Sequence, residues 1–242
     1  MQKVVTPKKK AMPTLEEEMA LFTQGYSFVA GLDEAGRGCL AGPVVAAAVI
    51  LPLAENTTKL MERFSGVNDS KQVTQPNRER LYDVIMQYAL AVGVGIGSVE
   101  LIDERNILQA TKHAMRTALT QLSTPPQALL LDALLLPTIS LPQRSIIKGD
   151  ARCLSIAAAS IIAKVTRDRL MLQLHEEYPV YGFDQNKGYG TEAHLASLHK
   201  HGATPHHRRS FAPVRELFGL FAERETCPSD ASTLLEQQSL TG

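Results

Sequence analysis

The sequence predicts a protein of the α/β class, in which buried strands and helices follow one another along the chain. Short apolar runs rich in Val, Ala and Leu have the length and composition of strands that are buried on both faces. Two longer segments, Ile102 to Leu122 and Cys153 to Leu174, have apolar residues at the spacing of a helix. Gly and Pro residues separate most of these segments, as turns require.

The composition is that of a soluble globular protein. The chain has 242 residues, of which 44% are hydrophobic, and its formal net charge is zero. Because bulk charge does not indicate a nucleic-acid binder, any such binding requires a local basic patch. No apolar run approaches the ~20 residues of a membrane-spanning helix, and no apolar signal core follows the basic N-terminus. Cys39, Cys153 and Cys227 match no zinc spacing, so we expect a protein of the reducing cytoplasm.

A short helix is predicted before the first strand. Thr14 and Glu17 have the spacing of a capping box, in which each side chain bonds the backbone of the other residue. The helix is expected to reach about Thr23 and to end at Gly25. Residues 1–24 are therefore assigned as an N-terminal tail with a short helix.

The first strand is expected to end in two adjacent carboxylates. It runs from about Ser27 to Asp33, and Glu34 follows directly. Because successive residues of a strand point to opposite faces, one of the two acids should face the sheet interior. A buried carboxylate is unfavourable unless a cation or a hydrogen-bond donor pairs with it.

The residues Gly36, Arg37 and Gly38 come next in the chain. Glycines permit unusual backbone angles and let a ligand approach the main chain, while an arginine can hold a phosphate through two hydrogen bonds. Together with the acids, this loop indicates metal-assisted phosphodiester chemistry. The alternative is a polar turn, since Val44 to Leu51 has the pattern of the next strand.

A lysine follows in the next long loop. Asp69 or Ser70 could cap the helix that the apolar spacing from Leu81 to Tyr88 predicts. Lys71 would then lie near a helix N-terminus, where a cation is unfavourable unless an anion is bound. Lys71 is therefore a candidate phosphate contact, and a solvated surface lysine is the alternative.

The segment from Ala89 to Val99 predicts a third strand with glycines at positions 93, 95 and 97. It is not a dinucleotide-binding fingerprint, because Ser98 stands at the third glycine position and no tight strand-to-helix turn is implied. Glycines inside a strand more often mark close backbone packing or a bulge. One long amphipathic helix, Ile102 to Leu122, is expected to follow.

Two further acids stand at the ends of predicted strands. Asp132 follows the apolar strand from Ala128 to Leu131, and Asp150 follows the short strand from Ser145 to Ile147. Asp150 also precedes the helix that begins near Cys153, so capping of that helix is an alternative role for it.

The four acids Asp33, Glu34, Asp132 and Asp150 are expected to converge, because strand ends of an α/β sheet meet at one edge. Their mutual repulsion requires cations among them. Ligation by oxygen alone favours Mg²⁺ or Mn²⁺ over zinc, and two such ions can stabilise both the attacking and the leaving oxygen of a phosphoryl displacement.

The C-terminal third carries two basic loops, 186–191 and 206–211. Six of the seven histidines lie between residues 175 and 207, which suggests zinc as an alternative, but their spacing fits no closed zinc site. Basic groups interleaved with Tyr189 and Phe211 fit a nucleic-acid surface better, through phosphate pairing and base stacking.

The chain is divided into a catalytic core over 25–175, a helical substrate-binding extension over 176–222 and a flexible tail over 223–242. The tail lacks periodicity and is polar. We expect a monomer, and the sequence does not identify a sliding clamp or another replication partner.

These motifs resemble ribonuclease HII, of the type 2 ribonuclease H family, over roughly residues 25 to 215 and in the family's order. The segments that carry the resemblance are Gly31 to Gly38, Gly42 to Ala47, Asn68 to Lys71, Gly149 to Asp168 and Lys187 to Thr191.

The resemblance implies a ribonuclease H-like fold, with a mixed five-stranded sheet flanked by helices and a helical C-terminal extension. It also implies an endonuclease that cuts the RNA strand of RNA–DNA hybrids. The enzyme would incise 5′ of single ribonucleotides embedded in duplex DNA, as in ribonucleotide excision repair, leaving 3′-hydroxyl and 5′-phosphate ends.

The resemblance also implies roles for individual residues. Asp33, Glu34, Asp132 and Asp150 match the catalytic acids that bind two Mg²⁺ or Mn²⁺ ions. A second set matches the substrate contacts: Gly36, Arg37 and Gly38 for the 2′-hydroxyl, Tyr189 for the sugar at the RNA–DNA junction, and Lys71 for the backbone.

Two competing functions remain open from sequence. A DNA-directed two-metal nuclease of the resolvase or integrase type would share the acids but needs no 2′-hydroxyl sensor. A non-catalytic hybrid-binding module would not need all four acids. Cleavage of an all-DNA substrate would favour the DNA-directed nuclease. Binding of a hybrid without metal-dependent cleavage would favour the binding module.

Overall fold

The computed structural model of the protein describes residues 12–217. At its centre lies a five-stranded sheet in the order β3-β2-β1-β4-β5. The strands are β1 Val29–Ala35, β2 Val44–Ile50, β3 Ala91–Gly97, β4 Ala128–Asp132 and β5 Gln143–Ile146. The pairs β1–β2 and β2–β3 are antiparallel, whereas β1–β4 and β4–β5 are parallel. The predicted mixed five-stranded sheet is therefore confirmed.

Helices cover both faces of the sheet. They are α1 Glu16–Phe22, α2 Thr57–Arg63, α3 Gln75–Tyr88, α4 Val99–Arg105, α5 Ile107–Thr120, α6 Leu154–Glu177, α7 Phe183–Asn186 and α8 Glu192–His201. The long helix α6 covers the face that carries Val49 and Leu130, and α5 covers the face that carries Ala48 and Leu131. Each face thus has its own apolar core, which is why all of β2 is buried.

The glycines of β3 serve close packing, as predicted. A Cβ atom at Gly93 would lie 2.1 Å from the carbonyl oxygen of Ala118, and one at Gly95 would lie 2.0 Å from that of Ala114. Both carbonyls belong to α5, so only glycine lets the strand approach this helix so closely.

The capping box expected at Thr14 is not formed. Helix α1 begins at Glu16, and its N-cap residue Leu15 makes no side-chain cap bond. The Thr14 hydroxyl accepts a long bond from the Glu16 amide at 3.4 Å, but Glu17 accepts a bond from Arg144 rather than from the Thr14 backbone. Thr14 instead forms an isolated parallel bridge with Cys153, and its backbone is bonded to residues at the start of α6. This tertiary pairing takes the place of the local cap.

Helix α3 begins later than expected. Its N-cap residue is Thr74, so the expected cap at Asp69 or Ser70 is wrong. The Asp69 side chain instead accepts a hydrogen bond from the Lys71 amide at 2.9 Å, which forms a turn. Lys71 therefore lies in a loop, and the helix-dipole argument for its role does not hold.

The single helix expected from Ile102 to Leu122 is two helices, α4 and α5. Asn106 separates them with a φ of 71° and a ψ of 163°, a backbone conformation that residues other than glycine rarely adopt. Its side chain accepts hydrogen bonds from the amides of Leu108 and Gln109 and so caps α5.

The C-terminal part of the described chain forms a separate small core. Met171 at the end of α6, Phe183, Leu198 and Val214 meet in this cluster, and a helical segment over 212–217 closes it. The division into a core and an extension at residue 175 stays a prediction, and this position falls within α6. The expected tail over 223–242 and residues 1–11 lie outside the described residues. No helix within residues 12–217 is long and apolar enough to cross a membrane.

Candidate active site

Asp33 and Glu34 lie inside β1 rather than beyond its end. The strand continues to Ala35 because its last residues pair with β2, Asp33 opposite Ala47 and Glu34 opposite Ala46. Asp33 shares the α6 face with Gly31 and is 7% exposed. One carboxylate is therefore directed into the interior, as predicted. Glu34 accepts a hydrogen bond from Arg37 at 3.1 Å.

Asp132 lies beside Asp33 on the neighbouring parallel strand. Leu32 pairs with Leu131, so the two acids occupy the next positions of β1 and β4. The Oδ1 atom of Asp132 accepts a hydrogen bond from the Gly149 amide at 2.8 Å. This bond joins the end of β4 to the segment that carries the fourth acid.

Asp150 lies in a 3-10 turn, Gly149–Ala151, between β5 and α6. The alternative role of Asp150 as a helix cap is wrong, because the N-cap residue of α6 is Cys153. Burial raises the pKa of Asp150, and repulsion from Asp69 and Asp132 raises it further. Asp150 therefore belongs to the same electrostatic cluster as the strand acids.

Two effects raise the pKa values of the acids in this cluster, namely burial and the mutual repulsion of their carboxylates. Burial raises the pKa of Asp33 well above its usual value, and the charges of Glu34, Asp132 and Asp150 raise it further. Burial also raises the pKa of Glu34, although Arg37 opposes this shift. The structure thus brings all four predicted acids together at one edge of the sheet.

The donor set at this edge fits a hard divalent cation. Its side-chain donors are carboxylate oxygens, the ligands that Mg²⁺ and Mn²⁺ prefer, and a cation would relieve the repulsion around Asp33. Two of the acids are bonded to protein donors, Glu34 to Arg37 and Asp132 to Gly149. Accordingly, no three His, Cys, Asp or Glu side chains of residues 12–217 form a ready metal-binding group. The histidines considered for zinc include His194 and His207, which bond each other.

The loop after β1 forms a tight turn beside the acids. The Cys39 amide approaches the Gly36 carbonyl oxygen at 3.4 Å, which places Arg37 and Gly38 at the tip of the turn. Gly36 has a φ of 94°, and a Cβ atom there would collide with the Arg167 side chain at 1.9 Å. In contrast, a Cβ atom on Gly38 would meet nothing within 4 Å, and its φ is not in the left-handed region.

Tyr189 lies next to this turn. The preceding residue, Gly188, accepts a hydrogen bond from the Leu40 amide at 2.8 Å, so the two loops are tied together. Tyr189 remains 41% exposed. Burial raises the pKa of Tyr189, and the nearby Cys39 thiol contributes. An exposed aromatic ring thus stands at the rim of the acid cluster.

Lys71 reaches the same region from the loop before α3. Its charge acts on both Glu34 and Asp150, whose pKa values it lowers against the effect of burial. Asp69, in the same loop, repels Asp150 and was not among the predicted site residues. Its proximity to Asp150 depends on the fold of this loop, although the segment from Asn68 to Lys71 is one of those that carry the family resemblance.

Sequence reasoning also missed two buried arginines that support the loops. Arg167 in α6 donates hydrogen bonds to the carbonyl oxygens of Ala41, Pro43 and Lys187. Arg208, which the sequence placed in a basic loop at a nucleic-acid surface, is instead fully buried and donates to the Gly36 carbonyl oxygen. Arg167 is one of several charged residues in the second half of α6, and its burial could not be read from the sequence.

Comparison with known proteins places these features in a family context. The family model described as Ribonuclease HII matches residues 30–214. A ribonuclease HII of Bacillus cereus strain Q1 is 53% identical over 212 residues, which are 87% of this chain and 79% of that protein. The ribonuclease H2 of Pyrococcus horikoshii OT3 is 31% identical with a TM-score of 0.66, covering 81% of this chain and 99% of the other. The ribonuclease HII of Archaeoglobus fulgidus, solved in a complex with PCNA, is 28% identical with a TM-score of 0.63, covering 78% and 96% of the two chains.

Proposed function

This chain belongs to the ribonuclease HII family and is an endonuclease that cleaves the RNA strand of RNA–DNA hybrids; we propose that it also incises duplex DNA on the 5′ side of a single embedded ribonucleotide. The products would carry 3′-hydroxyl and 5′-phosphate ends. Such a cut would begin the excision of ribonucleotides from DNA.

The observation that carries the proposal is the position of the acid cluster beside the Gly36–Gly38 turn. Asp33, 7% exposed, is surrounded by the charges of Glu34, Asp132 and Asp150. Cations would relieve the mutual repulsion of these acids, and the adjoining turn has main-chain groups that a sugar could approach. Cleavage and ribose recognition would therefore occur at neighbouring points.

We assign Asp33, Glu34, Asp132 and Asp150 as ligands of two divalent ions, Mg²⁺ or Mn²⁺. Two such ions, when bound, supply electrostatic stabilisation of the attacking and leaving oxygens of a phosphodiester. The buried Asp33 and the neighbouring Asp132 would provide the central ligands, because they lie on adjacent strands whose geometry is rigid. No side chain needs to act as a nucleophile.

The substrate contacts are assigned to the loops around the acids. The turn at Gly36, Arg37 and Gly38 would recognise the 2′-hydroxyl, the group that distinguishes RNA from DNA at a given site. Tyr189 would stack on the sugar at the junction between ribonucleotide and DNA. Lys71 would pair with a backbone phosphate, since its cation lies beside Glu34 and Asp150.

Cleavage of a labelled DNA duplex that contains one ribonucleotide tests the proposal, with Mg²⁺ or with a chelator. We expect a metal-dependent cut directly 5′ of the ribonucleotide. Asp132→Asn should abolish the cut and retain binding of the duplex, whereas Asp83→Asn, at an exposed position of α3, should leave the rate unchanged.

Three other outcomes would contradict the proposal in different ways. If the protein cleaved only continuous RNA–DNA hybrids, the proposed junction specificity and the roles assigned to Gly36, Gly38 and Tyr189 would be wrong. Cleavage of an all-DNA duplex would favour a DNA-directed nuclease. A normal rate for Asp132→Asn in Mg²⁺ would remove this residue from the catalytic set.

A further inference from the structure

Arg208 lies directly behind the turn that we assign to ribose recognition. Its side chain is fully buried. The guanidinium group donates hydrogen bonds to the carbonyl oxygens of Gly36 at 2.7 Å and Arg37 at 2.9 Å. It also donates two bonds to the carbonyl oxygen of Gly42, at 2.9 and 2.8 Å. One side chain from the C-terminal part of the chain therefore forms hydrogen bonds with both ends of the loop that follows β1.

The bonding of Arg208 is unusual for a buried cation. Within residues 12–217 it forms no ion pair, and its charge is balanced by carbonyl oxygens and by the ring of Phe211, 5.1 Å from the guanidinium carbon. Burial lowers the pKa of Arg208 to about 10, so the side chain remains protonated at neutral pH. Asp103 exerts a favourable charge effect on the guanidinium group, but no acid of residues 12–217 bonds it directly, so its burial requires an explanation beyond packing.

The orientation of the turn supplies that explanation. The carbonyl oxygens of Gly36 and Arg37 point inward to the guanidinium group. In a trans peptide group the N–H bond points opposite to the C=O bond, so the amides of Arg37 and Gly38 point away from Arg208. Neither amide donates to a protein acceptor in the described part of the chain. A carbonyl bonded to a cation also polarises its peptide group, which makes the amide a stronger donor.

Arg167 restrains the same loop from a second side. Its side chain packs against Gly36 so closely that a Cβ atom there would lie 1.9 Å from Nε. Arg167 also donates to the Lys187 carbonyl oxygen at 2.8 Å, two residues before Tyr189. The turn and the Tyr189 loop are thus held in one arrangement by buried guanidinium groups.

We propose that Arg208 is a positioning residue for ribose recognition, which holds the Gly36–Gly38 turn with the amides of Arg37 and Gly38 directed at the oxygen of a 2′-hydroxyl. This inference rests on the proposed function of the turn. It adds that ribose selectivity depends on a side chain that does not touch the substrate. Lysine cannot replace Arg208, because one ammonium group lacks the planar fork that reaches three carbonyl groups at once.

Binding measurements without divalent metal test this role. The probes are two DNA duplexes of identical sequence, one of which contains a single ribonucleotide. We expect the parent protein to bind the ribonucleotide duplex more tightly. Arg208→Lys should reduce this preference by about tenfold, the effect of losing a well-placed hydrogen bond, while its affinity for the all-DNA duplex stays within about twofold of the parent.

The matched control is Arg215→Lys, the same change at an exposed arginine of the helical segment over 212–217, which should alter neither affinity. A purely structural role for Arg208 would lower both affinities in proportion to the unfolded fraction and leave their ratio unchanged. Thermal unfolding of both variants measures that fraction directly.

The outcomes separate this inference from the proposed function. A parent protein without ribonucleotide preference would overturn the sensing role of the turn, and the inference with it. A parent with the preference and an Arg208→Lys variant that keeps it would overturn the inference alone. If Arg208→Lys does not fold, Phe211→Leu is the milder variant, because leucine keeps an apolar side chain against the two clusters on which Phe211 packs but removes the ring from the guanidinium group. Phe211→Leu should lower the preference by about threefold, and an unchanged preference would again overturn the inference.

Discussion

His207 donates a hydrogen bond to His194, with 3.0 Å between their Nε2 atoms, and both rings are fully buried. The direction of this bond follows from the outer partners of the two rings. Nδ1 of His207 accepts from the Thr204 amide at 3.0 Å, so its proton is on Nε2. Nδ1 of His194 lies 2.9 Å from the Tyr189 carbonyl oxygen and must donate to it. The chain of bonds therefore requires both histidines to be neutral, and it ends on the loop of Tyr189.

We predict that acidification weakens the protein through this pair. Burial, together with repulsion from His194 and His206, lowers the pKa of His207 to about 4, whereas unfolded histidine titrates near ~6.5. Between these values the unfolded state binds more protons, so the free energy of unfolding falls as the pH drops from about 6.5 to about 4. The contribution is at most about 3 kcal/mol.

The measurement is the melting temperature between pH 7.5 and pH 4.5 for the parent and for His207→Asn. We expect the variant to be less stable at pH 7.5 but to lose less stability on acidification, because its side chain does not titrate. His199→Asn, at an exposed position of α8, should follow the parent. Parallel pH profiles for the parent and His207→Asn would contradict the prediction.

The strands could be predicted because the apolar runs of the sequence coincide with strands that are buried inside the sheet. Val44 to Leu51 and Ala128 to Leu131 are buried on both faces and correspond to β2 and β4. The end of β1 was misplaced, since carboxylates normally disfavour a strand interior. Pairing of Asp33 and Glu34 with the alanines of β2 outweighs this preference and extends the strand to Ala35.

The convergence of the four acids could be predicted because each lies within four residues of a strand end. The residues that support them could not, because they act through contacts over long sequence separations. Arg208 meets Gly36 across 172 positions of the chain, and no local pattern distinguishes it from the neighbouring Arg209. Similarly, the break at Asn106 depends on a single residue with a positive φ inside an otherwise helical pattern.

We predict that Asp33→Asn stabilises the metal-free protein and abolishes cleavage. The substitution removes a buried acid that is repelled by Glu34, Asp132 and Asp150, so the free energy of unfolding should rise by about 1 kcal/mol. Thermal unfolding with and without Mg²⁺ measures the effect. Mg²⁺ should raise the melting temperature of the parent, because a ligand that binds only the folded state stabilises it, but it should hardly affect the variant.

The exposed residue Asp83 provides the matched control for this change. Asp83→Asn should leave the melting temperature, its response to Mg²⁺ and the cleavage rate as in the parent. If Asp33→Asn is less stable than the parent without metal, the repulsion inferred around Asp33 is not the dominant energetic effect there.

We predict that the ring of Tyr189, rather than its hydroxyl group, contributes to substrate binding. Tyr189→Phe should retain cleavage at a single ribonucleotide within about threefold of the parent, whereas Tyr189→Ala should lose about tenfold to a hundredfold in kcat/KM, the usual effect of a lost stacking contact. Tyr88→Ala removes a ring of similar exposure, 38%, away from the site and should have little effect. Equal losses for Tyr189→Phe and Tyr189→Ala would instead assign the role to the hydroxyl group.

We predict opposite effects for alanine at the two glycines of the recognition turn. Gly36 has a φ of 94° and lies against Arg167, so Gly36→Ala should destabilise the protein by about 1–3 kcal/mol. At Gly38 a Cβ atom meets nothing within 4 Å, so Gly38→Ala should leave stability unchanged or raise it by up to about 1 kcal/mol. The fold does not require glycine at position 38, so under the proposed function glycine there serves to leave room for the sugar of the substrate. Gly38→Ala should therefore lower the rate of ribonucleotide incision by about tenfold or more, as measured per folded molecule, and a fully active Gly38→Ala variant would show that no substrate atom approaches the turn there.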